Sequence, residues 1–101
     1  MDTDALIAHA RTRFDHVTAR RVLKEKYQAR LLFSHNGGMF RVTPELLAFV
    51  KTWPVDTIYL EDLYENPIEV DRQVFLVTAQ QHWQMQMNAW HNEFEELNKK
   101  R

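Results

Sequence analysis

The fold is decided by residues 31–45, LLFSHNGGMFRVTPE. The two glycines of the chain stand side by side here, as Gly37 and Gly38, between two runs of β-prone residues. Glycine readily adopts the positive φ that tight hairpin turns require, so this pattern predicts a β-hairpin. Directly afterwards, Thr43 is a good helix cap and Pro44 is preset for the first helical position. The stretch therefore predicts a hairpin that leads straight into a helix.

Beyond this stretch, the helix that begins at Pro44 should end at Pro54, because proline cannot continue a helix. Residues 57–60 and 68–70 then flank a polar turn, which predicts a second hairpin. From Asp71, a good N-cap residue, the chain contains no proline or glycine up to its last residue. This predicts one long C-terminal helix over residues 71–101.

The chain before the first hairpin is predicted to begin as a helix. Its apolar residues recur at three- and four-residue spacing behind Asp2 or Thr3, at positions Leu6, Ile7, Ala10, Phe14 and Val17. We expect the helix to give way near residue 26, because apolar residues alternate with period two from Tyr27 to Phe33, as in a strand. The predicted order is α-β-β-α-β-β-α, which makes residues 1–101 a single α+β domain.

The last helix is long for a domain of this size. About 28 helical residues extend roughly 42 Å at 1.5 Å per residue. A compact domain of about 100 residues has a radius of gyration near 13 Å and hence a diameter of about 33 Å. We therefore expect part of the helix to project, unless the first helix runs beside it.

Composition narrows the class of protein. With 45% hydrophobic and 27% charged residues the chain is typical of globular domains. It has no cysteine, which excludes disulfides, thiolate metal sites and a cysteine nucleophile. No apolar run approaches the ~20 residues that cross a bilayer, and the start of the chain is acidic where a signal peptide is basic. We expect a cytoplasmic protein without a membrane partner.

The residue patterns do not indicate an enzyme, so we expect no catalytic residues, no metal and no cofactor. The five histidines include no pair three or four residues apart, as ligation from one helix face would need. Ser34 precedes His35, but no nucleophile motif surrounds them. The glycine pair lacks the lysine and the other glycines of a phosphate-binding loop.

The strongest functional signal is an apolar stripe on the last helix, with heptad-like spacing. Its members are large residues of types enriched at the cores of protein interfaces, namely Trp83, Met87, Trp90, Phe94 and Leu97. One interpretation is that the stripe packs against the first helix and the sheets, as most apolar stripes do. The other is that it binds another protein or a second copy of the chain as an oligomer. The leading hypothesis is a non-enzymatic protein-binding protein that uses these five residues.

A nucleic-acid-binding regulator is the alternative. Residues 11–30 carry seven basic and two acidic residues, whereas residues 45–71 carry one basic and seven acidic residues. The basic segment could contact a phosphate backbone through Arg20, Arg21, Lys24 and Lys26. The overall pI of about 6.5 is low for a dedicated nucleic-acid binder, and the two segments could instead face each other and cancel.

Several stretches resemble small proteins encoded by large tailed bacteriophages. They are residues 33–40 (FSHNGGMF), 43–46 (TPEL), 64–68 (YENPI) and 87–95 (MNAWHNEFE). The resemblance covers residues 20–101 and carries over no catalytic or binding residues. It implies a viral protein that is either a virion or assembly component or a protein that binds a host factor. The location would then be the host cytoplasm or the virion.

Overall fold

The computed structural model describes residues 3–99 and confirms the predicted α+β fold and its element order. The elements are α1 (Thr3–Arg30), β1 (Leu32–His35), β2 (Gly38–Arg41), α2 (Pro44–Thr52), β3 (Thr57–Glu61), β4 (Pro67–Asp71) and α3 (Arg72–Lys99). The strands form two separate antiparallel pairs, β1 with β2 and β3 with β4. None of the helices in residues 3–99 is long and apolar enough to cross a membrane.

The first hairpin, which the sequence predicts, closes through a two-residue turn at Asn36 and Gly37. Asn36 and Gly37 both have positive φ, 51° and 83°, as a type I′ turn requires. His35 therefore pairs with Gly38, and Leu32 pairs with Arg41 at the open end. The register turns Phe40 into the core, where it is 2% exposed.

Asp62 joins the second hairpin to the first. It begins the turn between β3 and β4, and its carboxylate accepts hydrogen bonds from the backbone N–H groups of Tyr64, Asn66 and Met39. These bonds, that of Asn66 first, hold the pKa of Asp62 below its ordinary value. Met39 belongs to β2, and its carbonyl also accepts from the N–H of Leu63 at 2.8 Å. The two hairpin tips are thus tied together without forming one sheet.

The predicted starts of α2 and α3 are confirmed by their caps, whereas Asp2, one of the two candidate caps of the first helix, lies outside the described residues. The Thr43 hydroxyl accepts from the N–H of Leu46 at 3.1 Å, and α2 ends at Thr52 just before Pro54. The Asp71 carboxylate accepts from the N–H of Val74 at 3.0 Å and starts α3.

The core lies between the two hairpins, α2 and the first turns of α3. Phe75 of α3 is fully buried at its centre, with ring centroids 5.1 Å from Phe40 and 5.6 Å from Phe33. The His35 ring meets the Phe75 ring edge-on at 5.2 Å. Ala79, which is also fully buried, lies one turn further along α3. The His35 ring thus packs against the core.

The prediction that α1 gives way near residue 26 was wrong, because the helix continues to Arg30. The apolar residues at 27 and 31 also fit a helical spacing of four, and both are buried, Tyr27 at 1% and Leu31 at 6% exposure. The end of the helix is held from α3, where His82 Nε2 lies 2.6 Å from the backbone oxygen of Arg30. Contacts with α3 therefore outweigh the local strand-like alternation.

Helix α1 runs antiparallel to the second half of α3. Its last turns lie beside His82 and Trp90, and Leu23 and Ala19 lie beside Leu97 near the end of α3. The first turns of α3 therefore pack in the core, and its second half packs beside α1. The part of the molecule that projects is residues 3–18 of α1. The molecule measures 67 × 25 × 21 Å, and its radius of gyration of 19.5 Å exceeds the ~13 Å of a compact domain of this length.

Candidate protein-binding groove

The five stripe residues of α3 lie on the side that faces α1, and each is half-buried. Trp83 packs against the edge of the core, and the Trp90 ring stacks on Tyr27 with centroids 6.5 Å apart and planes 10° apart. The stripe is thus used partly inside the chain, as one of the two sequence interpretations holds. The contact with α1 leaves one side of the stripe uncovered.

That uncovered side is an open groove. A depression of about 490 Å³ lies between the end of α1, the start of α2 and the α3 residues Trp83, Met87 and Trp90. A second depression of about 290 Å³ continues along α3 between Met87, Trp90, His91 and Phe94. The two depressions share Met87 and Trp90 and so adjoin each other in one open surface along α3. We call it the α3 groove, with Trp83, Met87, Trp90 and Phe94 as its floor.

Leu97 is separated from the other four predicted residues. It lines a depression of about 330 Å³ on the opposite side of the α1–α3 contact, together with Ala19, Leu23, Glu93 and Glu96. The stripe is therefore divided by α1, and four of its five residues form the groove floor. Their spacing along the sequence does not reveal this division, because it depends on where α1 lies.

A polar cluster beside the groove fixes the position of its floor. The Glu93 carboxylate accepts from Lys26 Nζ at 2.7 Å and from the Tyr27 hydroxyl. These two bonds lower the pKa of Glu93, and the bond to the carboxylate raises the pKa of the Tyr27 phenol. Lys26 Nζ and the Arg30 guanidinium each lie 5.2 Å from the Tyr27 ring centre. The cluster holds Tyr27 against Trp90.

Sequence reasoning missed Tyr27 and Glu93 as parts of this site. They are 66 residues apart in the chain, and no local pattern connects them. The alternating pattern at Tyr27 predicts a strand, and Glu93 lies among several acidic residues of the last helix. Only the alignment of the two helices identifies the pair.

The basic residues of the alternative hypothesis are divided as well. Lys26 is paired with Glu93, whereas Arg20, Arg21 and Lys24 are exposed. Residues four apart share a helix face, so Lys24 and Arg20 lie one and two turns before Gln28, which lines the groove. Helical spacing thus puts Lys24 and Arg20 on the side of α1 that carries Gln28, whereas the charged residues that line the groove itself are Arg41 and Glu45.

Two further expectations concern charge and metal binding. Among the side chains that the structure describes, the basic segment 11–30 forms its ion pair with Glu93 of α3, not with the acidic segment 45–71. The same side chains include no group of three or more potential ligands that could hold a metal ion. The described part of the site is therefore an apolar and aromatic surface whose edge carries both Arg41 and Glu45.

Comparisons with known proteins give no relative for this chain. No family model matches it, and no curated protein or solved structure matches it.

Proposed function

We propose that this chain is a non-enzymatic protein-binding protein whose α3 groove holds a helical segment of a partner. The observation that carries this proposal is that Met87, Trp90 and Phe94 line an open groove even though α1 packs alongside α3. Large apolar side chains on an open surface favour association, since covering them removes apolar area from water. Tryptophan, methionine and phenylalanine are also enriched at interface cores.

The shape and charge of the groove support a particular kind of partner. It follows the α3 axis past three successive turns of the helix, from Trp83 to Phe94, which suits a helix laid along it. The floor accommodates apolar side chains, and Met87 can adjust to their shapes. The exposed cations Arg20 and Lys24, on the Gln28 side of α1, favour acidic residues at the flanks of that helix. The partner segment is therefore an amphipathic helix with acidic flanks.

The resemblance to bacteriophage proteins indicates a viral context for this binding role. A non-catalytic protein that binds a helix of another chain could be a virion or assembly component, or a protein that binds a host factor.

Nucleic-acid binding remains the second candidate. It is supported by the exposure of Arg20, Arg21 and Lys24 near an aromatic surface on which bases could stack. The apolar floor and the pairing of Lys26 with Glu93 favour a protein instead.

The test compares two methionines of α3 that lie on different faces. Met87 lines the groove, whereas Met85 is 57% exposed away from it. Binding is measured by fluorescence anisotropy with labelled 18-residue model peptides: a leucine-faced helix with glutamate flanks, its lysine-flanked version and a scrambled version. We expect the glutamate-flanked helix to bind best, Met87→Glu to weaken binding at least tenfold, and Met85→Glu to leave it unchanged.

Three results would contradict the proposal. The first is that none of the peptides binds. The second is that Met87→Glu and Met85→Glu bind the glutamate-flanked helix equally, while circular dichroism shows both variants folded. The third is that a labelled single-stranded DNA binds more tightly than any peptide and loses affinity steeply as salt rises, which would favour the nucleic-acid alternative.

A further inference from the structure

A separate depression of about 330 Å³ lies where the tips of the two hairpins meet. It is lined by residues 34–39 of the first hairpin and by Asp62, Tyr64 and Asn66 of the second, and we call it the tip pocket. Small-molecule sites begin at about 300 Å³, so the pocket is large enough for a small ligand. The α3 groove meets the first hairpin at Arg41, at the open end of that hairpin, and is therefore a different site.

The tip pocket contains a buried negative charge. Asp62 is 6% exposed, and hydrogen bonds from backbone N–H groups, that of Asn66 first, lower the pKa of its carboxyl, so it is ionised at neutral pH. Among the other described residues that line the pocket, His35 is titratable and the rest are neutral. Buried carboxylates in proteins usually lie beside a cation. The carboxylate of Asp62 instead lines a pocket that a small cation can enter.

The carboxylate of Asp62 retains one acceptor position. An ionised carboxylate offers about four lone-pair positions, two on each oxygen. The N–H groups of Tyr64 and Asn66 donate to Oδ1, and the N–H of Met39 donates to Oδ2. One position on Oδ2 is left for a further donor. A single N–H can use this position, whereas the bidentate approach of a guanidinium needs one position on each oxygen.

The other groups in the tip pocket suit a primary ammonium group, which has three N–H donors and no acceptor. The Ser34 hydroxyl and the Asn66 side-chain oxygen belong to residues of the lining and can accept from the two remaining donors. The ring of Tyr64, a lining residue that is 73% exposed, can attract a cation through its π face. Residues 56–71 include six acidic residues and no lysine or arginine, so the potential around this hairpin attracts cations.

We propose that the tip pocket binds a primary ammonium group, with Asp62 Oδ2 as its charged acceptor and the Tyr64 ring as an aromatic wall. Free alkylamines and lysine side chains both carry this group, so either can supply it. A metal ion fits less well, because the described side chains include no group of three or more potential ligands. The site is additional to the α3 groove and does not depend on the protein-binding role of that groove.

The test is an amide NMR titration of the full chain with n-butylammonium chloride at constant ionic strength. We expect the signals of residues 36–39, 64 and 66 to shift along one saturable curve. n-Butylguanidinium should bind more weakly, because Asp62 offers a single acceptor position. Tetramethylammonium has no N–H donor and should bind at least about tenfold more weakly. Nα-acetyl-lysinamide distinguishes the sources: tighter binding than n-butylammonium assigns the site to a lysine side chain, and weaker binding assigns it to a free amine.

Two tyrosines of the second hairpin provide a matched pair. Tyr64 and Tyr59 are 73% and 66% exposed, but Tyr64 lines the tip pocket and Tyr59 lies on β3 outside it. Tyr64→Ala should weaken n-butylammonium binding at least about threefold, and Tyr59→Ala should leave it unchanged. Asp62→Asn should abolish the saturable shifts. Because Asp62 also ties the hairpins together, circular dichroism checks the fold of this variant, and the tyrosine pair decides the test if it does not fold.

Three results would overturn the inference. The first is that n-butylammonium causes no saturable shift at the tip pocket. The second is that neutral n-butanol or tetramethylammonium causes the same shifts at the same concentrations. The third is that Tyr64→Ala and Tyr59→Ala bind n-butylammonium equally. None of these results bears on the peptides that test the α3 groove, so failure of this inference and failure of the proposed function are distinguishable.

Discussion

Replacing Gly38 with alanine should destabilise the protein by forcing apart the two hairpins. A Cβ atom added at Gly38 would lie 2.7 Å from Ile68 Cγ1 and 3.0 Å from Phe40 Cε2. Carbon atoms in contact prefer a separation of about 3.5–4.0 Å, so Ile68 would have to move by roughly 1 Å. Phe40 is 2% exposed in the core and cannot move aside freely. Overpacking of this kind costs about 1–3 kcal/mol.

The neighbouring glycine provides a control with a different physical basis. A Cβ at Gly37 would meet no atom within 4 Å, but its φ of +83° is unfavourable for residues with a side chain. Gly37→Ala should therefore cost about 1–2 kcal/mol for the left-handed backbone alone. Asparagine tolerates this conformation better than alanine, so Gly37→Asn should cost less than Gly37→Ala. At Gly38 the order is reversed, because a larger side chain worsens the clash.

The assay is urea unfolding, followed by tryptophan fluorescence and by circular dichroism. Domains of this kind have about 5–15 kcal/mol of unfolding free energy, so a loss of ~2 kcal/mol is well resolved. Ile68→Ala removes the atom that the new Cβ would meet. The cost of Gly38→Ala should therefore fall by at least 1 kcal/mol when measured in the Ile68→Ala background. An unchanged cost in that background, or a better tolerance of Gly38→Asn than of Gly38→Ala, would refute the contact between the hairpins.

Two other predictions concern the cap of α2 and the polar cluster beside the groove. Thr43→Ala should lower the unfolding free energy by about 1 kcal/mol, because α2 loses its N-cap. Thr52→Ala, at the exposed end of the same helix, should change the unfolding free energy by less than about 0.5 kcal/mol. Equal effects of the two substitutions in urea unfolding would contradict the role of Thr43 as a cap. The bonds that Glu93 accepts in the folded state lower its pKa, so its contribution is present above the ordinary carboxylate pKa and is lost as pH falls through the lowered value. Glu93→Gln should therefore reduce the loss of unfolding free energy between roughly pH 6 and pH 3, while Glu95→Gln should not. If the unfolding free energies of the two variants depend on pH in the same way, the ion pair with Lys26 contributes nothing.

The sequence predicts those parts of the fold that depend on residues close together in the chain. The turn at Asn36 and Gly37 needs only a backbone with positive φ, and its neighbours supply the strands. The caps at Thr43 and Asp71 act within three residues of themselves. These signals are local, and the structure confirms each of them.

The features that the sequence does not predict depend on contacts between distant residues. The alternation from Tyr27 onward resembles a strand, but contacts with α3, such as Tyr27 on Trp90 and Arg30 with His82, accompany a helical segment. Phe75 belongs to no predicted stripe, yet it is fully buried where the hairpins meet α3. In the same way, the apolar stripe can be found in the sequence, but its division into a groove floor and the separate Leu97 follows from the position of α1.

The antiparallel contact between α1 and α3 also affects how the molecule opens. Lys26 and Glu93, which join the two helices, are 67 residues apart, whereas each hairpin closes over only a few residues. Helix α1 can therefore detach as a unit while the hairpins, α2 and α3 keep their shorter-range contacts. In native-state hydrogen exchange, the amides of α1 should exchange together, ahead of those in the core strands. Because Gln28 of α1 lines the groove, we expect undocking of α1 to remove one wall of the groove and to expose the face of Trp90 that rests on Tyr27.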